Sequence, residues 1–183
     1  MSALPPLPHG VDVFHQAPSP QLLDAVCGAC ATERCHPVAT VGWVDALSGQ
    51  WTETVVGAAC LADEVTAADE RRAEGSQPVA VDVPAWTIHD LARDAGITPA
   101  TALTWWRLGY LTEAQTPIGA RESLTPQRFL ADEVRHARAL WELHQVGLTD
   151  PAAAHLLLSG TDADRAVAAA LVSALARETA VAS

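Results

Sequence analysis

The sequence predicts a mainly α-helical protein with a small α+β part at its amino end. Apolar residues recur at helical spacing through most of the chain after residue 86, whereas β-branched and aromatic residues are concentrated in two short runs, 38–44 and 51–56. Between these two parts, residues 77–85 follow a Gly-Ser pair and contain two prolines, as a linker would. We therefore predict a first module at 1–76, a linker at 77–85 and a helical domain at 86–183.

The first module contains all four cysteines of the chain, which are Cys27, Cys30, Cys35 and Cys60. The first two form a C-x-x-C motif, and the last opens a predicted helix at 61–74. The two β-branched runs predict a hairpin between them, in which Trp43 and Trp51 are expected to face each other. A knuckle, a hairpin and a cysteine in the first helical turn follow the order of a treble-clef or ribbon-like zinc module. The pattern predicts one structural zinc ion held by these four cysteines.

Other interpretations of the cysteines stay open. His36 or Asp63 can replace Cys35 as the fourth ligand, because both lie close to a cysteine in sequence. An iron–sulfur cluster or a redox switch also suits four cysteines with one C-x-x-C motif, although we favour zinc. Reduced thiols buried in an apolar core are a further alternative. Disulfides are disfavoured because we expect a cytoplasmic protein.

The helical domain begins with two short helices joined by a tight turn. Thr87 can cap the first helix, and Gly96 ends it. Thr98 caps the second helix, which ends at Gly109. We expect its inward face to hold Leu103, Trp106 and Tyr110. This arrangement predicts a helix-turn-helix.

The next segment is predicted to form a small β-wing. Residues 112–124 are turn-rich and too long for a tight link between helices. A third helix is expected to begin at Thr125 and Pro126 and to continue to Gly147, followed by a short helix at 152–159 and an Ala-rich helix to about residue 180. The predicted fold is therefore a zinc-binding hairpin and helix module followed by a winged helix-turn-helix.

Four segments carry a resemblance to a known family: Ile88-x-x-Leu91-Ala92-x-x-Ala95-Gly96-Ile97-Thr98, Leu103-x-Trp105-Trp106-x-x-Gly109-x-Leu111, Gly119-x-Arg121-x-x-Leu124-Thr125 and Ala139-Leu140-Trp141-Glu142-Leu143-x-x-x-Gly147-Leu148. In this order they resemble the MerR-type winged helix over residues 86–158. The resemblance implies binding of double-stranded DNA, usually as a dimer that reshapes a promoter, and excisionases of mobile elements share the domain shape. The family usually has Arg, an aromatic pair and Glu in the second helix. Here Thr104 stands in the Arg place and Arg107 in the Glu place.

The residues that we expect to contact DNA are Thr101, Thr104, Trp105, Arg107, Arg121 and Arg128. The three arginines and Trp105 would contact phosphates, whereas the two threonines would meet base edges. The outward face of the second helix offers no Arg, Asn or Gln that could read a purine through two hydrogen bonds. We therefore expect little base-specific recognition.

The charge of the chain opposes DNA binding. The formal net charge is −11, and DNA binding draws much of its affinity from cationic groups that release counterions from the phosphates. We therefore expect DNA binding to be weak or assisted by a partner.

Other functions are excluded by what the sequence lacks. It has no P-loop, dinucleotide fingerprint or zincin motif, and no oxyanion-hole sequence accompanies Cys35 and His36, so we do not expect an enzyme. No run of about twenty apolar residues is present, so we expect no membrane partner and a cytoplasmic location. The absence of Lys and Asn, with abundant Ala, favours a GC-rich bacterial source.

These observations predict a bacterial DNA-binding accessory protein or transcriptional regulator with a zinc-stabilised amino-terminal module. One alternative is a protein-interaction module in which a degenerate winged helix binds a protein partner. Another is an excisionase-like accessory factor in recombination. A homodimer is a further expectation, although the apolar stripe of the last helix is narrow for a coiled coil.

Overall fold

A computed structural model describes residues 7, 11–14, 20–32, 35–114 and 128–181. This part of the chain is a mixed α+β structure with seven helices and one four-stranded sheet, so the expected mainly α class fits only in part. The chain divides into two compact units. The first comprises Met1–Thr87 and Glu113–Asp132, and the second comprises Ile88–Thr112 and Glu133–Ser183.

The first unit is built on the sheet. Its strands are β1 (Asp12–Phe14), β2 (Pro37–Val44), β3 (Trp51–Gly57) and β4 (Ala80–Asp82), in the order β1-β4-β2-β3. Strands β2 and β3 form the predicted antiparallel hairpin. Strand β4 pairs antiparallel with β2 and parallel with β1. The hairpin therefore supplies one edge of the sheet, and β3 lies at that edge.

The helices of the first unit are α1 (Pro20–Leu23) and α2 (Leu61–Arg71). Helix α2 packs on one face of the sheet, where its buried Leu61 and Val65 join Val41 and Trp43 in the core. Each fully buried aliphatic side chain stabilises the fold by roughly 1.5–3 kcal/mol. The opposite face of β2 carries the alternate residues Thr40, Gly42 and Val44 because side chains alternate along a strand.

The hairpin register differs from the expected one. Trp43 is paired with Thr52, and Trp51 is paired with Val44. The two tryptophans therefore occupy opposite faces of the sheet: Trp43 is buried in the core, whereas Trp51 is 51% exposed. The prediction that they face each other is wrong because a shift of one residue in register moves a side chain to the other face.

The predicted linker at 77–85 is part of the first unit. Strand β4 lies within it, and Val79, Val81 and Val83 are all buried. Prolines are tolerated at the ends of short strands because they remove a hydrogen-bond donor there without breaking the ladder. Pro78 and Pro84 flank β4 in this way. The linker prediction is therefore wrong, and the first unit continues to Thr87.

The remaining helices are α3 (Ile88–Ala95), α4 (Pro99–Arg107), α5 (Ala131–Gln145), α6 (Pro151–Ser159) and α7 (Asp162–Val181). Phe129 and Leu130 precede α5, contrary to the prediction that they belong to the third helix. Phe129 instead forms a β-bridge with Trp86 through two backbone hydrogen bonds, of 2.8 and 2.9 Å. Both side chains are fully buried in the first unit.

Most of the predicted wing lies in 115–127, outside the described residues, and so does Arg121. No helix in the described part of the chain combines the length and the apolar character needed to cross a membrane.

Candidate metal centre and helix-turn-helix

The four cysteines meet at one point in the first unit. Their sulfur atoms all lie within 4.8 Å of one another, and the Sγ atoms of Cys35 and Cys60 are 3.6 Å apart. A tetrahedral ion with metal–sulfur bonds of about 2.3 Å places its sulfur ligands about 3.8 Å apart. The thiols are free. The four cysteines therefore form a possible metal site.

The C-x-x-C turn holds the first two ligands against the hairpin. The N–H of Ala31 donates to the carbonyl of Cys27 over 2.8 Å, and the N–H of Gly28 donates to Val55 on β3, also over 2.8 Å. A Cβ atom at Gly28 would lie 2.3 Å from the hydroxyl of Thr54. Glycine at position 28 therefore allows the turn to approach β3 closely.

The other two ligands are placed by the end of β3. Gly57 donates its N–H toward Cys27 Sγ over 3.5 Å, and its carbonyl accepts the N–H of Cys60 over 3.0 Å. A Cβ atom at Gly57 would lie 2.4 Å from Cys35 Sγ. Cys60 immediately precedes α2, with no hydrogen bond from its side chain to the helix. The strand end therefore contacts three of the four ligands directly.

The environments of the thiols differ. Hydrogen bonds from the hydroxyl and N–H of Thr32 lower the pKa of Cys30 to about 6. Burial raises the pKa of Cys35 far above its usual range. Burial also opposes ionisation of Cys27, but hydrogen bonds from Gly57 and neighbouring backbone N–H groups outweigh it and lower its pKa. Four thiolates at this spacing repel one another unless a cation lies between them. Thiolate sulfur is a soft ligand, which suits zinc, copper(I) and iron–sulfur clusters.

The structure brings Cys35, and not His36 or Asp63, to the cluster. Both alternatives have exposed side chains, and the group of potential ligands found among the described residues consists of the four cysteines alone. Cys35 therefore occupies the fourth position that the sequence analysis had left open.

In the second unit, α3 and α4 are joined by a tight turn. Gly96 has φ of +74°, in the left-handed region that glycine adopts readily. The N–H of Ile97 donates to Ala92 over 2.9 Å, and Thr98 Oγ1 accepts the N–H of Thr101 over 3.1 Å as a helix cap. The predicted end of the first helix and the predicted start of the second are both found.

The rotation of α4 differs from the expected one. Ala102 and Trp105 are its buried residues, whereas Leu103, Trp106 and Tyr110 are only half-buried. Trp105 is 6% exposed, so its ring is not available to contact a phosphate in this structure. This burial does not favour the predicted phosphate contact by Trp105.

The threonines of α4 already use their hydroxyls within the helix. Thr104 is exposed, and its hydroxyl donates to the carbonyl of Ala100 over 2.9 Å. Thr101 is half-buried, and its hydroxyl lies 2.9 Å from that of Thr98. Hydroxyls engaged in this way can still accept a weak hydrogen bond, but they offer little discrimination between bases.

The predicted phosphate-binding arginines do not share one unit. Arg107 is exposed on α4 of the second unit, and Arg128 is exposed in the first. Arg93 of α3 pairs with Asp90 and Asp94. The charge is uneven as well: the first unit carries fourteen acidic residues and five arginines, and the second carries eight and six. The second unit therefore has the smaller negative charge and would repel phosphates less than the first.

The second unit contains a histidine pair that the sequence does not predict. The Nε2 atom of His136 lies 3.0 Å from Nδ1 of His155, whose ring also contacts Tyr110 with centroids 5.2 Å apart. Burial, followed by the charge of His155, lowers the pKa of His136 to about 4. The two histidines are nineteen residues apart in sequence, a separation that no local pattern reveals.

Comparisons of the chain with protein-family models, curated proteins and solved structures found no match.

Proposed function

We propose that the four cysteines bind one structural zinc ion per chain. The compact set of sulfur atoms, all within 4.8 Å, supports this proposal. A single tetrahedral ion draws all its ligands toward one point, whereas an iron–sulfur cluster spreads them around several irons. Zinc would tie the C-x-x-C turn, the end of β3 and the start of α2 together, and this would stabilise the first unit.

Metal analysis of protein purified without chelator tests this proposal. We expect about one zinc and no iron per chain. Replacing Cys35 with Ser should lower the zinc content, whereas Ser159→Ala, which changes a hydroxyl in the second unit, should leave it unchanged. Zinc content near zero, together with helicity that survives a strong chelator, would exclude a structural zinc site. Stoichiometric iron with visible absorbance would replace zinc with an iron centre.

We further propose that the protein is a bacterial DNA-binding accessory protein or transcriptional regulator of the MerR type. The proposal is supported by the pair α3 and α4, joined at Gly96 and capped by Thr98, with Thr104 and Arg107 exposed on α4. A short helix with a free outer face can enter the major groove. Arg107 is the phosphate contact that this face offers.

DNA binding by the full chain can be measured from the anisotropy of a labelled duplex at about 50 and 200 mM salt. Arg107→Ala should weaken binding to all sequences alike and reduce the salt slope by about 0.9, the contribution of one phosphate contact. Arg165→Ala is the matched control, because Arg165 is also exposed in the second unit but pairs with Asp162 on α7. Thr104→Ala should change the preference between sequences by about 1 kcal/mol or less.

A protein-interaction module is the second candidate. Two observations favour it. The formal charge of −11 weakens the attraction to phosphates, and the burial of Trp105 removes an aromatic side chain from the surface. If the full chain binds no duplex even at about 50 mM salt, the DNA-binding proposal fails and this candidate takes its place. An excisionase-like factor would instead bind DNA and bend it, which a circular-permutation gel assay detects. Light scattering tests the expected homodimer.

A further inference from the structure

The face of the sheet that does not pack on α2 contains a groove of about 440 Å³ in the first unit. Its floor follows from the strand register. Asp12 pairs with Ala80, Ala80 with Gly42, and Gly42 with Glu53. One row of residues therefore crosses all four strands, with two small residues in the middle and a carboxylate at each end.

One wall of the groove is an indole ring. Trp51 lies across Gly42, where a Cβ atom would be 2.3 Å from Cζ2 of the ring. Only glycine leaves room for this orientation. The ring remains 51% exposed, although it could contribute more to stability if it were buried. A half-exposed tryptophan beside carboxylates offers part of its ring to a ligand.

The charge of the groove identifies its ligand. Asp12, Glu53 and Asp82 line it, and among the described lining residues there is no arginine or histidine. Asp12 and Glu53 are three strand spacings apart, about 14 Å, which is too far for both to bind one metal ion. The groove also opposes DNA, because three carboxylates repel phosphates. A longer ligand with more than one positive charge fits these distances.

We propose that this face of the sheet binds an extended, arginine-containing segment of a partner protein. A guanidinium group can stack on Trp51 and hydrogen-bond to Glu53, two residues along the same strand and on the same face. A second basic residue of the segment reaches Asp12, at the other end of the row. Lysine satisfies the carboxylates but stacks less well on an indole ring. The surface therefore selects arginine over lysine.

The probe is a capped hexapeptide of alternating arginine and glycine, titrated into the zinc-loaded full chain by calorimetry at low salt. We expect saturable binding of one peptide per chain, which is weaker for the lysine analogue. Glu53→Gln and Trp51→Thr should each weaken binding by about threefold to fivefold, in line with exposed ion pairs and cation–π contacts. Glu70→Gln is the matched control, since Glu70 is an exposed acid on α2, across the sheet from the groove.

Circular dichroism and zinc content check that each variant folds. If Trp51→Thr does not fold, Glu53→Gln decides the matter alone, because it changes one exposed group. Equal effects of Glu53→Gln and Glu70→Gln would mean diffuse attraction and overturn the proposal. Absence of saturable peptide binding would overturn it too, as would self-association through Trp51 or calcium binding at Glu53 in place of the peptide. Because the groove lies in the first unit and the experiment uses no DNA, its outcome is independent of the DNA-binding proposal.

Discussion

Replacing Gly57 with Ala should damage the candidate metal site through a single methyl group. The new Cβ atom would lie 2.4 Å from Cys35 Sγ and 2.9 Å from the carbonyl oxygen of His36. Non-bonded heavy atoms settle at about 3.5–4.0 Å, so the sulfur would have to retreat by more than about 1 Å. Metal–ligand distances tolerate only about 0.2 Å. Since Gly57 does not have a positive φ, the effect is one of space and not of backbone strain.

The expected loss of zinc affinity is at least about 100-fold, because changes that only reorient a ligand already cost 10–100-fold. Since metal binding stabilises the folded state, a loss of this size removes about 2.7 kcal/mol of stability at a fixed excess of zinc. Competition with a zinc-sensing chelator measures the affinity, and Co²⁺ absorbance reports whether four sulfurs still bind the ion.

Gly42→Ala is the matched control for this experiment. It adds a methyl group to the neighbouring strand with a contact of 2.3 Å, but the contact is with the ring of Trp51, which can turn away from the sheet. We expect unchanged metal affinity and spectrum for this variant. If Gly57→Ala binds zinc as tightly as the original chain and keeps its Co²⁺ spectrum, Cys35 does not bind the metal from the position that it occupies in this structure.

Three further predictions follow from the fold. Trp105→Ala should cost about 3–5 kcal/mol in denaturant unfolding, as for other buried tryptophans, whereas Trp106→Ala should cost less; equal losses would contradict the observed rotation of α4. Limited proteolysis should spare residues 79–83, because their valines are buried around β4. Early cleavage there would support the original interpretation of 77–85 as a linker. Because the pKa of His136 is lowered to about 4, the unfolded chain binds its proton first, so stability should fall as the pH drops from about 6.5 to 4. Unfolding at several pH values should show this loss reduced in His136→Gln, and parallel pH profiles would contradict it.

The sequence was most informative where a local pattern has a single physical solution. The hairpin was predictable because two β-branched runs flank a turn. The end of α3 was predictable from Gly96, and the start of α4 was predictable from Thr98. The cysteine cluster was predictable in part, because C-x-x-C spacing aims two thiols at one ion. Cys35 was the expected fourth ligand, but the sequence left His36 and Asp63 as alternatives, since the choice depends on how the end of β3 approaches Cys35.

The predictions were wrong where the local sequence fits two structures about equally well. Val79, Val81 and Val83 alternate as strand residues do, but the flanking prolines favoured a linker, and only pairing with β2 decides between the two. The register of Trp43 and Trp51 had the same ambiguity, because loop length alone does not set the pairing. In α4, two adjacent tryptophans are about 100° apart around the helix, so either could face the core.

Under the proposed DNA-binding function, the burial of Trp105 limits what α4 could recognise. The outer face is left with Ala100, Thr104 and Arg107, and the Thr104 hydroxyl already donates to Ala100. A methyl group, an engaged hydroxyl and one guanidinium can position a helix on phosphates but read few bases. Any sequence preference must therefore come mainly from the shape of the DNA or from a second bound protein. The proposed site for an arginine-containing segment lies in the first unit, so its residues are different from those that α4 would present to DNA.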